Sequence, residues 1–241
     1  MELTFLGTGS AIPSERMQSG LLLHDHPLLI DCGSGVLHNL NRTDVKPDEV
    51  GEVLVTHNHL DHVNDVMALA KANWLLGRDS LDVYGPGGTR DTIDSLLEAY
   101  EYLEEKIDIT VHEVTPGESI DIKGTEIDTL ETSHSVESMA VRYGNHFVYS
   151  GDTEPLSEVV EFAQDCSVLI HECSFPDDVE VSNHTRPSEL GRILQDSEIP
   201  YLYLTHLYPH TRNRESGMIR KIKENYDGQV KIAKDMKKLS A

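Results

Sequence analysis

The run Thr56-His57-Asn58-His59-Leu60-Asp61-His62 places four side chains of metal-ligand type, His57, His59, Asp61 and His62, within six positions. His57 and His59 share one side if the backbone there stays extended, because side chains alternate along a strand. Asp61 and His62 fall where a helix would start, so they can turn toward a second point. Two imidazoles for one ion, and a carboxylate with an imidazole for another, is donor chemistry suited to zinc. The alternative is a polar loop that merely happens to be rich in histidine. Four donors in so short a run argue strongly against it.

The surrounding elements are patterned to project this run. Residues 52–56 read as an apolar, β-branched strand ending at the run, and a strand end opening into a loop can gather several donors around one point. Residues 3–6, 20–24 and 27–31 also read as strands, the last two joined at His24-Asp25-His26-Pro27. Strands at 81–84 and 109–114 follow, with a helix at about 89–104 between them. Residues 127–132, 139–143 and 146–150 form a second series, with Gly144-Asn145 as a hairpin turn. Helices at about 156–164, 187–197 and 215–225 then alternate with apolar strands at 168–171 and 201–205. Pro187 suits the first turn of its helix, behind a cap at Arg186 or Thr185. Strands first, then strands interleaved with helices, fit a four-layer αββα sandwich better than a doubly wound parallel sheet. No repeat, low-complexity tract or Pro/Ser-rich linker divides the chain, so residues 1–241 read as one domain.

Composition narrows the function classes. The chain carries 42 acidic against 20 basic side chains, a net charge of −22. Such a surface repels nucleic acid unless high salt screens it, and suits an acidic, highly soluble protein of a salt-rich cytoplasm. The imbalance is uneven: from Arg212 onward nine bases stand against four acids, so the tail is +5 and the remainder −27. A basic end on an acidic body can attract an anionic substrate, although a solvated helix face is the simpler reading. No run reaches the roughly 18 apolar residues of a membrane span. The opening Met1-Glu2-Leu3-Thr4-Phe5-Leu6-Gly7 lacks the basic start of a signal peptide. Cys32, Cys166 and Cys173 are odd in number without paired spacing, which suits reduced thiols in a cytoplasm.

The run 56–62 resembles the HxHxDH signature of the metallo-β-lactamase superfamily. The likeness extends along the chain. Leu28-Leu29-Ile30-Asp31-Cys32-Gly33-Ser34-Gly35 resembles the strand and glycine turn that precede the signature. The superfamily's later ligands are a histidine, a bridging aspartate and a final histidine, each following a strand. His134 in Thr132-Ser133-His134-Ser135, Asp152 in Tyr149-Ser150-Gly151-Asp152-Thr153 and His206 in Leu204-Thr205-His206-Leu207 match them in order. By this resemblance His57, His59 and His134 bind one metal, Asp61, His62 and His206 bind the other, and Asp152 bridges. The implied fold is the αββα metallo-β-lactamase sandwich, and the implied cofactors are two Zn2+, with Mn2+ or Fe2+ as alternatives. Two cations about 3.5–4 Å apart clamp an anionic centre and ionise a shared water near neutral pH. Asp61 would orient that hydroxide or accept the proton of the water that gives it.

Within the superfamily, the details resemble the phosphodiesterase group around tRNase Z. Flavodiiron-type members carry glutamate where His59 stands. Members that hydrolyse β-lactams often use a cysteine ligand before the last histidine, and no cysteine follows Cys173. Glyoxalase II-like ester and thioester hydrolases usually add a longer C-terminal domain than the 35 residues that follow His206. By contrast, Phe5-Leu6-Gly7-Thr8-Gly9-Ser10-Ala11-Ile12-Pro13 resembles the opening segment of the tRNase Z group. Leu169-Ile170-His171-Glu172-Cys173-Ser174-Phe175 resembles its HEATF segment, and Asn183-His184-Thr185 its HST segment. The resemblance makes His184 the donor of a proton to the leaving oxygen and Glu172 its partner. A carboxylate beside an imidazole holds it in the charged form. A pair that only braces the strand is the competing reading.

Two departures bear on substrate. Only 17 residues separate His134 from Asp152, enough for two strands and a turn and too few for the arm that grips tRNA. The loop Ser14-Glu15-Arg16-Met17-Gln18 lacks the lysine-containing pattern associated with tRNA 3′-end cleavage. Short armless relatives hydrolyse small phosphodiesters, cyclic ones included, so the expected substrate is an RNA 3′ end or a small cyclic phosphate. The same resemblance implies a homodimer. A glyoxalase II-like esterase and a non-catalytic metal-binding module are the rivals, the second expected to have lost ligands. His24 and His26 are read as solvated turn residues, and His171 as facing away from Glu172. His38, His112 and His146 are read as ordinary core or surface histidines. His210, Arg212 and Arg214 are lesser candidates to reach a phosphate, and Ser135 and Ser138 are hydroxyls near His134.

Overall fold

The computed structural model describes residues 1–12 and 14–240, so Pro13 of the opening segment lies outside the described residues. The first sheet begins with β1 (Glu2–Gly7), β2 (Gly20–Leu23) and β3 (Leu28–Ile30), paired antiparallel, with the expected turn at His24-Asp25-His26-Pro27. It continues in parallel with β4 (Glu52–Leu54), β5 (Ser80–Gly85) and β6 (Asp108–Glu113). Parallel strands need crossovers, and these carry α1 (Val36–Leu40), α2 (Leu60–Val63), α3 (Val66–Leu76) and α4 (Thr89–Ala99). Strands covered on both faces read as continuous apolar runs. Leu28 and Ile30 accordingly pack between the sheets, while Leu29 packs under the helices.

The second sheet opens as a meander of β7 (Ser119–Ile122), β8 (Thr125–Glu131), β9 (Met139–Tyr143) and β10 (Phe147–Tyr149). It then turns parallel through β11 (Val168–Glu172), β12 (Tyr201–Thr205) and β13 (Gln229–Ile232). Helices α5 (Ser157–Phe162), α6 (Pro187–Ile193) and α7 (Glu215–Ile222) follow β10, β11 and β12 in turn. A last strand, β14 (Lys238–Ser240), returns to the first sheet against β1. The order is β14-β1-β2-β3-β4-β5-β6 in one sheet and β13-β12-β11-β10-β9-β8-β7 in the other.

Three apolar layers hold this together. Phe5, Leu21, Ile30 and Leu54 meet Ile127, Val141, Phe147 and Ile170 between the sheets. Val53, Leu69 and Ile93 pack the first sheet to its helices, and Val148, Leu169 and Leu190 pack the second. This is the expected αββα order. The expected helices run shorter: that from Thr89 stops at Ala99, because Tyr100 takes φ −116° and ψ 47°, with Glu101–Leu103 as a separate 3-10 turn, and those from Pro187 and Glu215 end at Ile193 and Ile222. Helix α3 ends at Gly77, whose φ of 100° a side chain would disfavour. Among the described residues no helix is long and apolar enough to cross a membrane.

Ile30 is fully buried between the sheets, beside Leu21 and Leu54 in the register. Ile30→Ala is expected to lower the unfolding free energy by about 2–5 kcal/mol in urea titration. A loss well under about 1 kcal/mol would mean that the sheets close over the gap.

Candidate metal centre

All the donors named from the sequence gather at one end of the sandwich, where strands of both sheets stop. Beyond β4 the main chain of Val55 and Thr56 bonds Tyr84 and Met139, and the chain bends at Thr56 and His57. It is extended at His59, the residue before α2, and the first turn of α2 supplies Asp61 and His62. β8 leads to His134, β10 to Asp152, β11 ends in Glu172, and β12 leads to His206.

Asp152 stands at the centre. Its Oδ2 lies 3.8 Å from His57 Nε2, 3.6 Å from His62 Nε2, 4.0 Å from His134 Nε2 and 3.3 Å from His206 Nε2. Donor atoms of His57, His59 and His134 lie within 4.8 Å of one another, and so do those of Asp61, His62 and His206. Asp152 forms comparable groups with His57 and His62 and with His184 and His206.

The outward-facing ring nitrogens are each engaged by the protein. His62 Nδ1 lies 2.7 Å from Asp31 Oδ2, and His134 Nδ1 lies 2.9 Å from the Asn183 carbonyl oxygen. His206 Nδ1 meets Ser174 Oγ at 3.0 Å, and His57 Nδ1 meets Thr56 Oγ1 at 3.2 Å. A ring whose Nδ1–H donates outward presents a lone pair at Nε2. Those inward nitrogens then confront one another: His62 and His206 Nε2 at 3.4 Å, and His134 Nε2 and His59 Nδ1 at 3.2 Å. His57 Nε2 and Asp152 Oδ1 are buried without a hydrogen-bond partner among the described residues. Facing lone pairs and a buried, unpaired carboxylate oxygen fit divalent cations, and the donor set is one that zinc prefers.

The charged groups of the cluster shift one another's proton affinities. Burial and the neighbouring His62 hold His57 well below the usual imidazole range. Burial opposes the charge on His62, but Asp31 and Asp152 outweigh it and raise that ring. Burial likewise opposes ionisation of Asp152, and His206 and His62 outweigh it, holding the carboxyl well below its ordinary range. The backbone is strained in the same place: Asp31, Asn183 and His206 have φ of 61°, 63° and 55°. Such outliers persist only where the surroundings over-determine them.

Beside the cluster, Glu172 is fully buried, and its two oxygens accept from five donors. Oε1 accepts from His184 Nδ1 at 2.9 Å and from the Thr153 and Thr185 amides, and Oε2 from the Ser174 amide and hydroxyl. Burial works against a charge on His184, but the hydrogen bond and charge of Glu172 outweigh it and raise the imidazole to about 8. His184 stacks on His206 at 5.4 Å, leaving Nε2 as its uncommitted nitrogen. Ser174, which ties Glu172 to His206, and Asp31 were not singled out from the sequence. Asp31 does leave a trace there, as a carboxylate ending the apolar strand β3.

The lesser candidates part company. Ser135 Oγ comes within 3.4 Å of His59 Nε2, whereas Ser138 is buried against Thr132. Arg214 does not reach for the centre: its guanidinium is paired with Asp178 at 2.6 Å, and Arg212 faces Glu15. His24 bonds Thr4 and His26 faces Glu52 at the opposite strand ends, so neither is simply solvated. His171 faces the outer layer, away from the side to which Ile170 and Glu172 alternate. Cys32, Cys166 and Cys173 are free and buried.

The family described as Anti-Pycsar protein Apyc1 matches residues 1–226. The chain belongs to the Apyc1 family. It is 25% identical to the ribonuclease Z of Methanosarcina acetivorans, over 99% of this chain and 97% of that protein. The metallo-β-lactamase fold protein YhfI from Bacillus subtilis superposes with a TM-score of 0.83 at 27% identity, covering 99% and 98% of the two chains. The short form of human tRNase Z gives a TM-score of 0.78 at 23% identity over 100% and 99%. This Apyc1-family protein is therefore a metal-dependent hydrolase of metallo-β-lactamase fold, with ribonuclease Z among its relatives.

Asp31 accepts hydrogen bonds from the Thr56 amide and hydroxyl and from Tyr149, as well as facing His62. Asp31→Asn keeps the volume but loses the charge that orients His62. It is expected to weaken metal affinity about 10–100-fold in chelator competition, with the circular dichroism spectrum unchanged.

Proposed function

We propose that this protein is a dinuclear phosphodiesterase acting on a small, preferably cyclic, phosphodiester. The observation that carries this reading is the Glu172–His184 pair set against the His/Asp cluster. His57, His59 and His134 would hold one ion, Asp61, His62 and His206 the other, and Asp152 would lie between them. When bound, two such ions neutralise a phosphoryl group and make water an adequate nucleophile near neutral pH. Zinc suits the nitrogen-rich donors, with manganese or iron as alternatives.

The protein's own groups account for the proton traffic. Asp61 presents Oδ2 at the cluster, 3.1 Å from His206 Nε2, where it can accept a hydrogen bond from the attacking water. As the water oxygen bonds to phosphorus and the P–O bond to the leaving group breaks, that leaving oxygen needs a proton. His184 supplies it from Nε2, while Glu172 holds Nδ1 and stabilises the charged ring. The surrounding rings of Phe175, His206 and Tyr208 shield the transfer from bulk water.

Size of substrate follows from what lies between His134 and Asp152: β9, β10 and their Gly144-Asn145 turn, with no arm to grip a large RNA. The alignment with the Methanosarcina acetivorans ribonuclease Z runs over 299 positions, more than this chain of 241 residues supplies, which supports the same view. Cleavage of an RNA 3′ end is the second reading, favoured by full-length similarity to that ribonuclease. We also take residues 1–241 to act as one domain, because both sheets contribute donors. The cytoplasm is its proposed compartment, on three free thiols, and a homodimer is proposed from the family resemblance alone.

Purified protein is expected to bind about two divalent ions per chain by elemental analysis and to cleave bis(p-nitrophenyl) phosphate and 2′,3′-cyclic nucleotides. Chelation should reduce cleavage to background. Hydrolysis of a thioester or lactam with no phosphodiester turnover would defeat the proposal, and faster cleavage of precursor tRNA, in low and high salt, would favour the second reading.

The acid role has a pH signature. His184 must be charged to donate, and its imidazole is raised from 6.5 to about 8, so its contribution to kcat is fully present below that range and lost as pH rises through it. Bound cations pull this limb back toward neutrality. His184→Ala should remove the limb and slow poor leaving groups far more than p-nitrophenolate. Equal slowing of both would rule out proton donation.

A further inference from the structure

Tyr208 lies two residues beyond His206, and its ring helps to cover His184 while its hydroxyl has no part in the steps proposed for the reaction. Its main chain is held from two sides. The Tyr208 amide donates to the Ser174 carbonyl at 3.3 Å, and the preceding Leu207 bridges Gly9 in parallel register. Its ring is held as well. It stacks on Phe175, with centroids 4.3 Å apart and planes 25° from parallel. It also stands edge-on to both His184 and His206, at 5.7 Å and at 66° and 70°. A ring fixed by three neighbours has a fixed hydroxyl.

That hydroxyl is unspent. Tyr149 donates to Asp31, and Tyr226 donates to the Ile199 carbonyl, but the Tyr208 phenol has no hydrogen-bond partner among the described residues. The ring is half-buried, within the electrostatic reach of Asp61, Asp152 and Glu172. A rigid neutral donor beside the proposed proton donor matches an oxygen that carries negative charge, because hydrogen bonds to charged acceptors are the stronger class.

We propose that the Tyr208 hydroxyl donates a hydrogen bond to a non-bridging oxygen of the scissile phosphodiester, and so selects which face of phosphorus meets the attacking water. This rests on the phosphodiesterase reading and adds a specificity-determining group to it. Tyr208 would be a substrate-contacting residue that moves no proton of its own. The stacked pair with Phe175 would act as the rigid mount that aims it.

Tyr208→Phe tests this, because phenylalanine keeps the stack and removes only the hydroxyl. The metal-loaded wild type and variant are compared on a nucleoside 2′,3′-cyclic phosphate and on the two phosphorothioate diastereomers of the same compound. Loss of a hydrogen bond to a charged oxygen should lower kcat/KM about ten- to hundred-fold on the oxygen substrate. Sulfur is a poor acceptor, so the wild-type preference between diastereomers should change by a similar factor in the variant. Inorganic phosphate should bind the variant more weakly by isothermal titration, with metal content and melting temperature unchanged. An active wild type with an indifferent variant, or a slowed variant with the wild-type diastereomer ratio and phosphate affinity, would overturn this inference alone. A wild type inactive on every phosphodiester would overturn it together with the reading beneath it.

Discussion

One carboxylate oxygen, Asp152 Oδ2, lies within 4.0 Å of four imidazole nitrogens, and the rest of the molecule is arranged around that crowding. So many donors facing one buried point repel one another unless positive charge lies among them. Among the groups themselves, Asp31 and Asp152 raise His62 against burial, His206 and His62 lower Asp152, and burial with His62 pushes His57 down. Divalent cations would supply that positive charge, since each satisfies several lone pairs at once. The cluster is thus a standing electrostatic cost, and the fold must be stable enough elsewhere to carry it.

That stability comes from dividing the labour between two sheets. Each brings parallel strands whose ends reach the same edge, and the layer of Phe5, Ile30, Leu54, Val141 and Ile170 fixes their spacing. Around the donors lies a ring of supports: Asp31 behind His62, Asn183 behind His134, Ser174 behind His206 and Thr56 behind His57. Gly33 shows how tight this ring is, because a Cβ there would run into the carbonyl oxygen of Asp61. The Glu172–His184 pair shares the same supports through Ser174, so the proposed acid and the proposed ligands are set by one network.

Much of this was legible in the sequence, for identifiable reasons. His57 to His62 sit on a single strand-to-helix junction, where local periodicity alone predicts their directions. His134, Asp152 and His206 are far apart in the chain but follow strands in a fixed order, which the family resemblance reads directly. Asp31 and Ser174 escaped notice because the histidines they support, His62 and His206, are 31 and 32 residues away and no short pattern marks such a pairing. Arg214 misled for the mirror-image reason: its acidic partner, Asp178, lies 36 residues back. Helix α3 was missed because it is apolar on nearly every side, so no 3.6-residue stripe stands out. Strands β7, β13 and β14 were missed as edge strands, half-exposed and with a single buried position at most.

The last of those strands has a consequence for how the chain comes together. β14 pairs Ser240 with Glu2 and Lys238 with Thr4, and Asp235 just before it accepts from the Thr8 amide and hydroxyl and from the Met17 amide. The opening strand and the loop that borders the metal centre are therefore secured by residues made more than two hundred positions later. Contacts of such long sequence separation form late, because loop-closure entropy must be met before they stabilise anything. During synthesis the second sheet can be nearly complete while the first still lacks its outer strand and the opening segment lacks its anchor. The edge of β1 stays unpaired through that interval, available to other chains as well as to its own.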